Sequence, residues 1–309
     1  MGETKDHHVM EVLGLAVVTV ENGKIVSIEP PKLRFCPLFN KLLGIENIDT
    51  EAVRKNIEFR IKDFGLFTEN RVTRAGDYIT FGVSEILSTA LSKGQIQASV
   101  IVADGAGSFI SEDPEIVQGM CGRISGIIET SPLKKVIADV GPENVLDPDT
   151  AKIDQKACAE KAAARGYERF SVTVTNADDA KFIREKYGSR AVIIAVHTSG
   201  TSRCDAKAMF DNCDFITACA SGPLREEALS RRDDIIIAGN KVQIFAVTDI
   251  GKEMVVGKLH SIGKEPWDGS PEWVNPNPLL RSRPAGDSSP GLLKELAGFA
   301  PVAHGRLPA

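Results

Sequence analysis

Several things are missing from this 309-residue chain, and each absence removes a class of function. No apolar run approaches the roughly 18 residues that a membrane-crossing helix needs. The opening MGETKDHHVMEVLG also lacks the basic-then-apolar order of an export signal. A cytoplasmic protein without membrane contact is therefore expected. Aromatic residues are scarce at 6%, the net charge is −5, and no Lys/Arg run is interleaved with aromatics. A nucleic-acid surface would need that basic patterning, so the expected partners are small molecules, with the protein itself a homo-oligomer.

The six cysteines, Cys36, Cys121, Cys158, Cys204, Cys213 and Cys219, include no C-x-x-C pair, which removes a zinc ribbon or finger. A reducing compartment disfavours a disulfide framework and leaves packed thiols, catalytic groups, or ligands gathered from distant loops. The glycine-rich DGAGS at 104–108 lacks the Lys-Ser/Thr of a P-loop and the full G-x-G-x-x-G fingerprint. Nucleotide binding is thus weakly supported, and a backbone nest for an anion is the better expectation there.

What is present reads as α/β. Residues 14–28, GLAVVTVENGKIVSI, are two β-rich runs about Asn22-Gly23, a dipeptide suited to a tight hairpin. TEAVRKNIEFRIKDFG follows with helical spacing of Val53, Ile57 and Ile61 and a cap candidate at Thr50, and a further helix is expected over 78–91. After Gly94 come apolar runs separated by helical stretches: SVIVA (99–103), KVIADV (135–140), FSVTVT (170–175), AVIIAV (191–196), DFITA (214–218) and QIFAVT (243–248). Continuously apolar strands alternating with helices predict a mainly parallel, Rossmann-like sheet with helices on both faces. The organisation is then a hairpin and helical segment over 1–95, the sheet region over 96–264, and a Pro/Gly/Arg-rich tail over 265–309.

Ligands of open α/β sheets bind beyond the carboxyl ends of the strands. Asp104, Asn176, His197, Cys219 and Asp249 each follow a predicted strand and are assigned to one edge. Ser202 and Asp205 have capping-box form, which puts Cys204 in a first helical turn, where the dipole favours a thiolate. Cys219 would sit beside His197, and imidazole is a thiol's usual activating partner. Cys213 and Cys158 read as packing, and Cys36, between Phe35 and Pro37, divides evenly between core and site. In GMCGRISG, Cys121 and Arg123 stand among Gly119, Gly122 and Gly126, where backbone and guanidinium can meet an acidic substrate.

Taken together, RFCPLFNKLLGIE, NIEFRIKDFGLFTENR, FGVSEILSTAL, VADGAGSF, VQGMCGRISGIIETSP, AVHTSGTSR and DFITACAS resemble the methanogenesis marker protein 8 family over residues 8–262. The resemblance implies a role in coenzyme M biosynthesis, as a synthase that converts sulfoacetaldehyde, a sulfur donor and two electrons into 2-mercaptoethanesulfonate, with cysteine or iron–sulfur chemistry. For that reaction, Cys219 or Cys36 would carry a persulfide or ligate a cluster, and His197 would protonate the departing oxygen. Cys121 or Cys204 would supply electrons by closing a disulfide. Arg123 with Asp104, Gly105, Gly107, Ser108, Ser125 and Thr198 would bind the sulfonate. Cys36, Cys121 and Cys219 would suffice for an iron–sulfur cluster with one open iron. The electron and sulfur donors are unknown, and a non-catalytic assembly factor that holds a metal or cluster is the alternative.

Overall fold

The computed structural model describes residues 6–76, 81–121, 126–239 and 242–266. The chain opens with β1 (His7–Glu11), β2 (Val17–Glu21) and β3 (Lys24–Ile28), followed by α1 (Pro37–Leu43), α2 (Thr50–Phe64) and α3 (Val83–Ser92). Next come β4 (Ala98–Ala103), β5 (Gly107–Ser111), α4 (Pro114–Cys121), β6 (Ile127–Thr130), α5 (Lys134–Val140) and α6 (Gln155–Ala164). The rest alternates: β7 (Phe170–Val174), α7 (Ala177–Tyr187), β8 (Ala191–Ala195), α8 (Arg203–Asn212), β9 (Phe215–Thr217), α9 (Gly222–Ser230), β10 (Ile236–Ala238), β11 (Ile244–Ala246) and α10 (Asp249–Ser261).

Two sheets result, a four-stranded one in the order β3-β2-β1-β6 and a seven-stranded one in the order β10-β11-β9-β8-β7-β4-β5. The fold is mixed α/β. Strands β4, β7, β8 and β9 pair in parallel, whereas β5, β11 and β10 add antiparallel pairs at the two sides. The mainly parallel sheet expected from the sequence is therefore corrected to a mixed one. The reason is local: Gly105 and Gly107 take φ of 77° and 66°, so the chain turns back at once from β4 into β5 instead of crossing over through a helix. Strand β5 carries little sequence signal, because GSFIS is short and holds two serines.

The two faces of the large sheet separate by alternation, as period-two geometry requires. Along β8, Ala191, Ile193 and Ala195 join Cys158, Phe210 and Leu224 from α6, α8 and α9. On the opposite face, Val192 and Ile194 pack with Leu87, Val117, Ile137 and Val255 from α3, α4, α5 and α10. KVIADV, expected as a strand, is the helix α5, because its buried Val136, Ile137 and Val140 follow helical spacing. Helix α2 is capped by Asp49, which accepts from the Ala52 N–H at 2.7 Å, one residue before the expected Thr50. The hairpin about Asn22-Gly23 forms as expected, with both residues at positive φ. Val53, Ile57 and Phe67 fill a separate core beneath the small sheet.

A buried charge pair joins the two parts. Arg71 and Asp104 have fully buried side chains, with Nε donating to Oδ1 at 2.9 Å, and the Phe67 N–H donates to Oδ2 at 2.6 Å. Nearby His8 is also fully buried, with Nδ1 2.7 Å from Thr130 Oγ1 and no partner for Nε2 among the described residues. Burial holds its pKa below the usual 6.5, with Asp104 and Asp6 acting against that and His7 adding to it. The unfolded chain then binds the proton that the folded chain refuses, so the contribution of His8 to stability is complete above 6.5 and falls as pH drops below it. Urea midpoints measured from pH 7.5 to 5.5 should decline, and the decline should be shallower in His8→Gln.

Candidate functional site

Because β4, β7, β8 and β9 are parallel, their carboxyl ends share one edge, which Asp104, Asn176, His197 and Cys219 follow. Asp249 does not belong there. Strand β11 runs antiparallel to β9, which puts Asp249 at the opposite edge, where Val247 N bonds to Asp214 O at 2.8 Å. The expected single edge is corrected at that position.

The loops after β8 and β9 are stitched together. Gly200 N donates to Ala220 O at 3.0 Å, and Thr198 Oγ1 donates to the Thr217 carbonyl. Within these loops His197 has φ 55° and Cys219 has φ 34°, a left-handed conformation uncommon for residues with a side chain. His197 Nε2 lies 2.9 Å from Glu11 Oε1 on the last residue of β1. Lys32 Nζ stands 3.9 Å from the other carboxylate oxygen. The hydrogen bond from His197 is the main reason that the Glu11 carboxyl is held below its ordinary value. The dyad therefore keeps its carboxylate down to a lower pH than a free glutamate would.

Two glycines let the small sheet and its loops approach. Gly200 faces Leu15 and Leu33, and a methyl group on it would stand 3.1 Å from Leu15 Cδ1. Gly126 has φ 77°, and a Cβ there would fall 2.3 Å from Glu11 O and 2.7 Å from His197 Nε2. Gly126 thus makes room for the dyad itself. Gly126→Ala should displace the imidazole and break the His197–Glu11 pair, read as a changed His197 ring signal in NMR of the folded variant. An unchanged His197 signal in the folded variant would show that the added methyl group is accommodated without moving the dyad.

The cysteines separate by surroundings. Cys36 is the residue before Pro37 at the start of α1 and is half-buried. Burial pushes its thiol up to about 11, and negative charge on Cys219 contributes in the same direction while Arg60 opposes it. Cys36 and Cys219 are therefore within electrostatic reach of each other. Sγ of Cys219 is 3.5 Å from Thr217 Oγ1. Cys121 packs among the α3 and α4 side chains, where burial and then the Glu85 carboxylate push it up to about 12. Both surroundings oppose the thiolate that its expected role needs, as burial also does at Cys36. Cys204 is exposed on the first turn of α8, whose cap Ser202 accepts from Asp205 N at 3.1 Å as the sequence indicates. Cys158 and Cys213 are buried in the core of the large sheet.

The expected anion cradle is not built from DGAGS. Asp104 is spent on Arg71, Gly105 N donates to Thr130 Oγ1 at 2.8 Å, and Ser108 N to Lys152 O at 3.0 Å. Ser108 Oγ bonds to Gln155 Oε1 at 2.8 Å, and a Cβ on Gly107 would meet the Ala151 carbonyl at 2.0 Å. This is a packed turn with no room for a ligand. Thr198, 1% exposed, ties the two loops and has the same internal character. Arg123 and Ser125 lie outside the described residues. Arg203, the first residue of α8, pairs with Glu226 at 2.9 Å.

The expected iron–sulfur cluster has no assembled ligand set among the described residues. Among the described residues no group of three or more His, Cys, Asp or Glu side chains is arranged to hold a metal ion. Cys36, Cys121 and Cys219, the expected set, form no such group. Two contributors had no local signal in the sequence. Glu11 reaches His197 across 186 positions, and Arg225, on α9, bonds the carbonyl of Cys219 at 2.9 Å.

The model of a family described as "Uncharacterized protein conserved in archaea (DUF2099)" matches residues 8–260. "Uncharacterized protein MJ0054" of Methanocaldococcus jannaschii is 45% identical over 264 residues, covering 84% of this chain and 92% of that protein. Among solved structures, a chain of the F420-reducing [NiFe] hydrogenase complex from Methanosarcina barkeri is 13% identical and covers 69% of this chain and 79% of its own, at a TM-score of 0.31. At that score the likeness bears on neither fold nor chemistry. Among the described residues no helix is long and apolar enough to cross a membrane.

Proposed function

The chain belongs to the archaeal DUF2099 family, and on that premise we propose that it is a coenzyme M synthase of the methanogenesis marker protein 8 type. In this reading it forms 2-mercaptoethanesulfonate from sulfoacetaldehyde, hydrosulfide and two electrons. The observation that carries the reading is the pair of joined loops after β8 and β9, one carrying the His197–Glu11 dyad and the other Cys219, with Cys36 within electrostatic reach of Cys219. An aldehyde-to-thiol conversion needs an acid for the departing oxygen and a source of two electrons, and these residues supply both.

The chemistry balances as follows. Hydrosulfide adds to the aldehyde carbon, and protonated His197 gives its proton to the oxygen, which leaves as water and produces a thioaldehyde. The Cys219 thiolate attacks the thioaldehyde sulfur, the carbon takes a proton, and a mixed disulfide between substrate and Cys219 results. Cys36 then attacks Cys219 Sγ, releases the product thiolate and closes a Cys36–Cys219 disulfide, so the two cysteine sulfurs lose the two electrons that the substrate gains. An external dithiol reopens that disulfide. Delivery of the sulfur as a persulfide would require four electrons, which favours hydrosulfide as the donor. Arg60, whose charge reaches Cys36, and Lys32 beside Glu11 supply positive charge for the sulfonate.

The test is a turnover assay with purified protein, sulfoacetaldehyde, sulfide and a dithiol reductant, read by mass spectrometry of the product thiol. Many product equivalents per protein support the synthase. Stoichiometric binding without release would favour the assembly-factor reading.

A further inference from the structure

Arg225 is 3% exposed, and all of its hydrogen bonds among the described residues go to uncharged acceptors. Nη1 donates to the carbonyls of Ala218 at 3.2 Å, Cys219 at 2.9 Å and Ser221 at 2.8 Å. Nη2 donates to Gln243 Oε1 at 2.8 Å, and Nε is buried without a partner among the described residues. The other buried guanidinium, Arg71, has its carboxylate. A cation taken out of water without a counter-charge is costly, so a fold that keeps one has use for its field.

The anion for which Arg225 is placed can be identified by position. Its three carbonyl bonds encircle the turn that carries Cys219, and they hold that residue at φ 34°. The same turn leads into the N-terminus of α9, capped by Ser221, whose dipole has the same sign as the guanidinium. Burial draws Arg225 down to about 10, and negative charge on Cys219 acts against that. The guanidinium therefore stays charged at neutral pH.

We propose that Arg225 is a positioning residue for Cys219, a buried cation that fixes the turn and supplies the positive field in which the Cys219 sulfur and an anionic substrate meet. This rests on the reading of Cys219 as the reacting thiol, yet it can be tested without turnover. Site-resolved alkylation by iodoacetate and by iodoacetamide measures the field, because the two reagents differ in charge, and exposed Cys204 is the internal reference. In the wild-type protein the iodoacetate-to-iodoacetamide rate ratio should be several-fold higher at Cys219 than at Cys204. Arg225→Met should lower the Cys219 ratio about tenfold and leave that of Cys204 unchanged, while Arg225→Lys keeps most of it.

Equal ratios at the two thiols in the wild type overturn the proposal, and that arm stands even where Arg225→Met does not fold. A folded Arg225→Met protein with both reagents slowed alike also overturns it, since a purely structural role would loosen the turn without sensing reagent charge. Failure of the synthase reading shows separately, as absence of product in the turnover assay with the alkylation ratios intact.

Discussion

Cys219→Ser should lower 2-mercaptoethanesulfonate formation by about a thousandfold or more while leaving the fold in place, the size expected when a covalent nucleophile is removed. The oxygen of serine neither attacks a thioaldehyde sulfur nor forms a mixed disulfide, so both electron-transfer steps stop together. The fold should persist because Cys219 is half-buried in a turn whose backbone carbonyls accept from the Arg225 guanidinium and from Gly200 N, bonds that the substitution leaves alone. Cys36→Ser should behave differently: the first half of the cycle proceeds, and the substrate remains trapped on Cys219. A folded Cys219→Ser protein that keeps more than a tenth of the wild-type kcat would remove Cys219 from the mechanism.

Arg71→Met should destabilise the protein by about 3 to 5 kcal/mol, because it leaves the Asp104 carboxylate buried with the Phe67 N–H as its main support. For a domain of this size that is a fall in melting temperature on the order of 10 °C. Adding Asp104→Asn should restore a large part of the loss, since a neutral amide still accepts from Phe67 N and no lone charge remains. A loss below about 1 kcal/mol in Arg71→Met would mean that water reaches the pair.

The positions legible in the sequence were those whose signal is local. SVIVA, FSVTVT, AVIIAV and DFITA announce β4, β7, β8 and β9 by apolar continuity, and Ser202 with Asp205 announces the start of α8. From those strands alone His197 and Cys219 fall at one edge. The errors arose where one local pattern serves two structures. KVIADV is as apolar as a strand but only seven residues long as the helix α5, and DGAGS looks like an anion nest but is a hairpin turn whose donors are already used. Glu11 and Arg225 were not legible, because their roles exist only after β1 and α9 dock against the loops that follow β8 and β9. Asp104 follows a strand as a ligand residue would, yet its partner Arg71 turns it into an internal tie.

The central claim is that the substrate's sulfur becomes bound to Cys219, and trapping on the Cys36→Ser protein tests it most directly. That protein would be incubated anaerobically with sulfoacetaldehyde and sulfide, quenched in acid and mapped by peptide mass spectrometry. The account predicts a 2-mercaptoethanesulfonate mixed disulfide on the peptide that carries Cys219, released by added dithiol. An adduct confined to Cys204 or Cys121, or no adduct in a protein that still makes product, would contradict it.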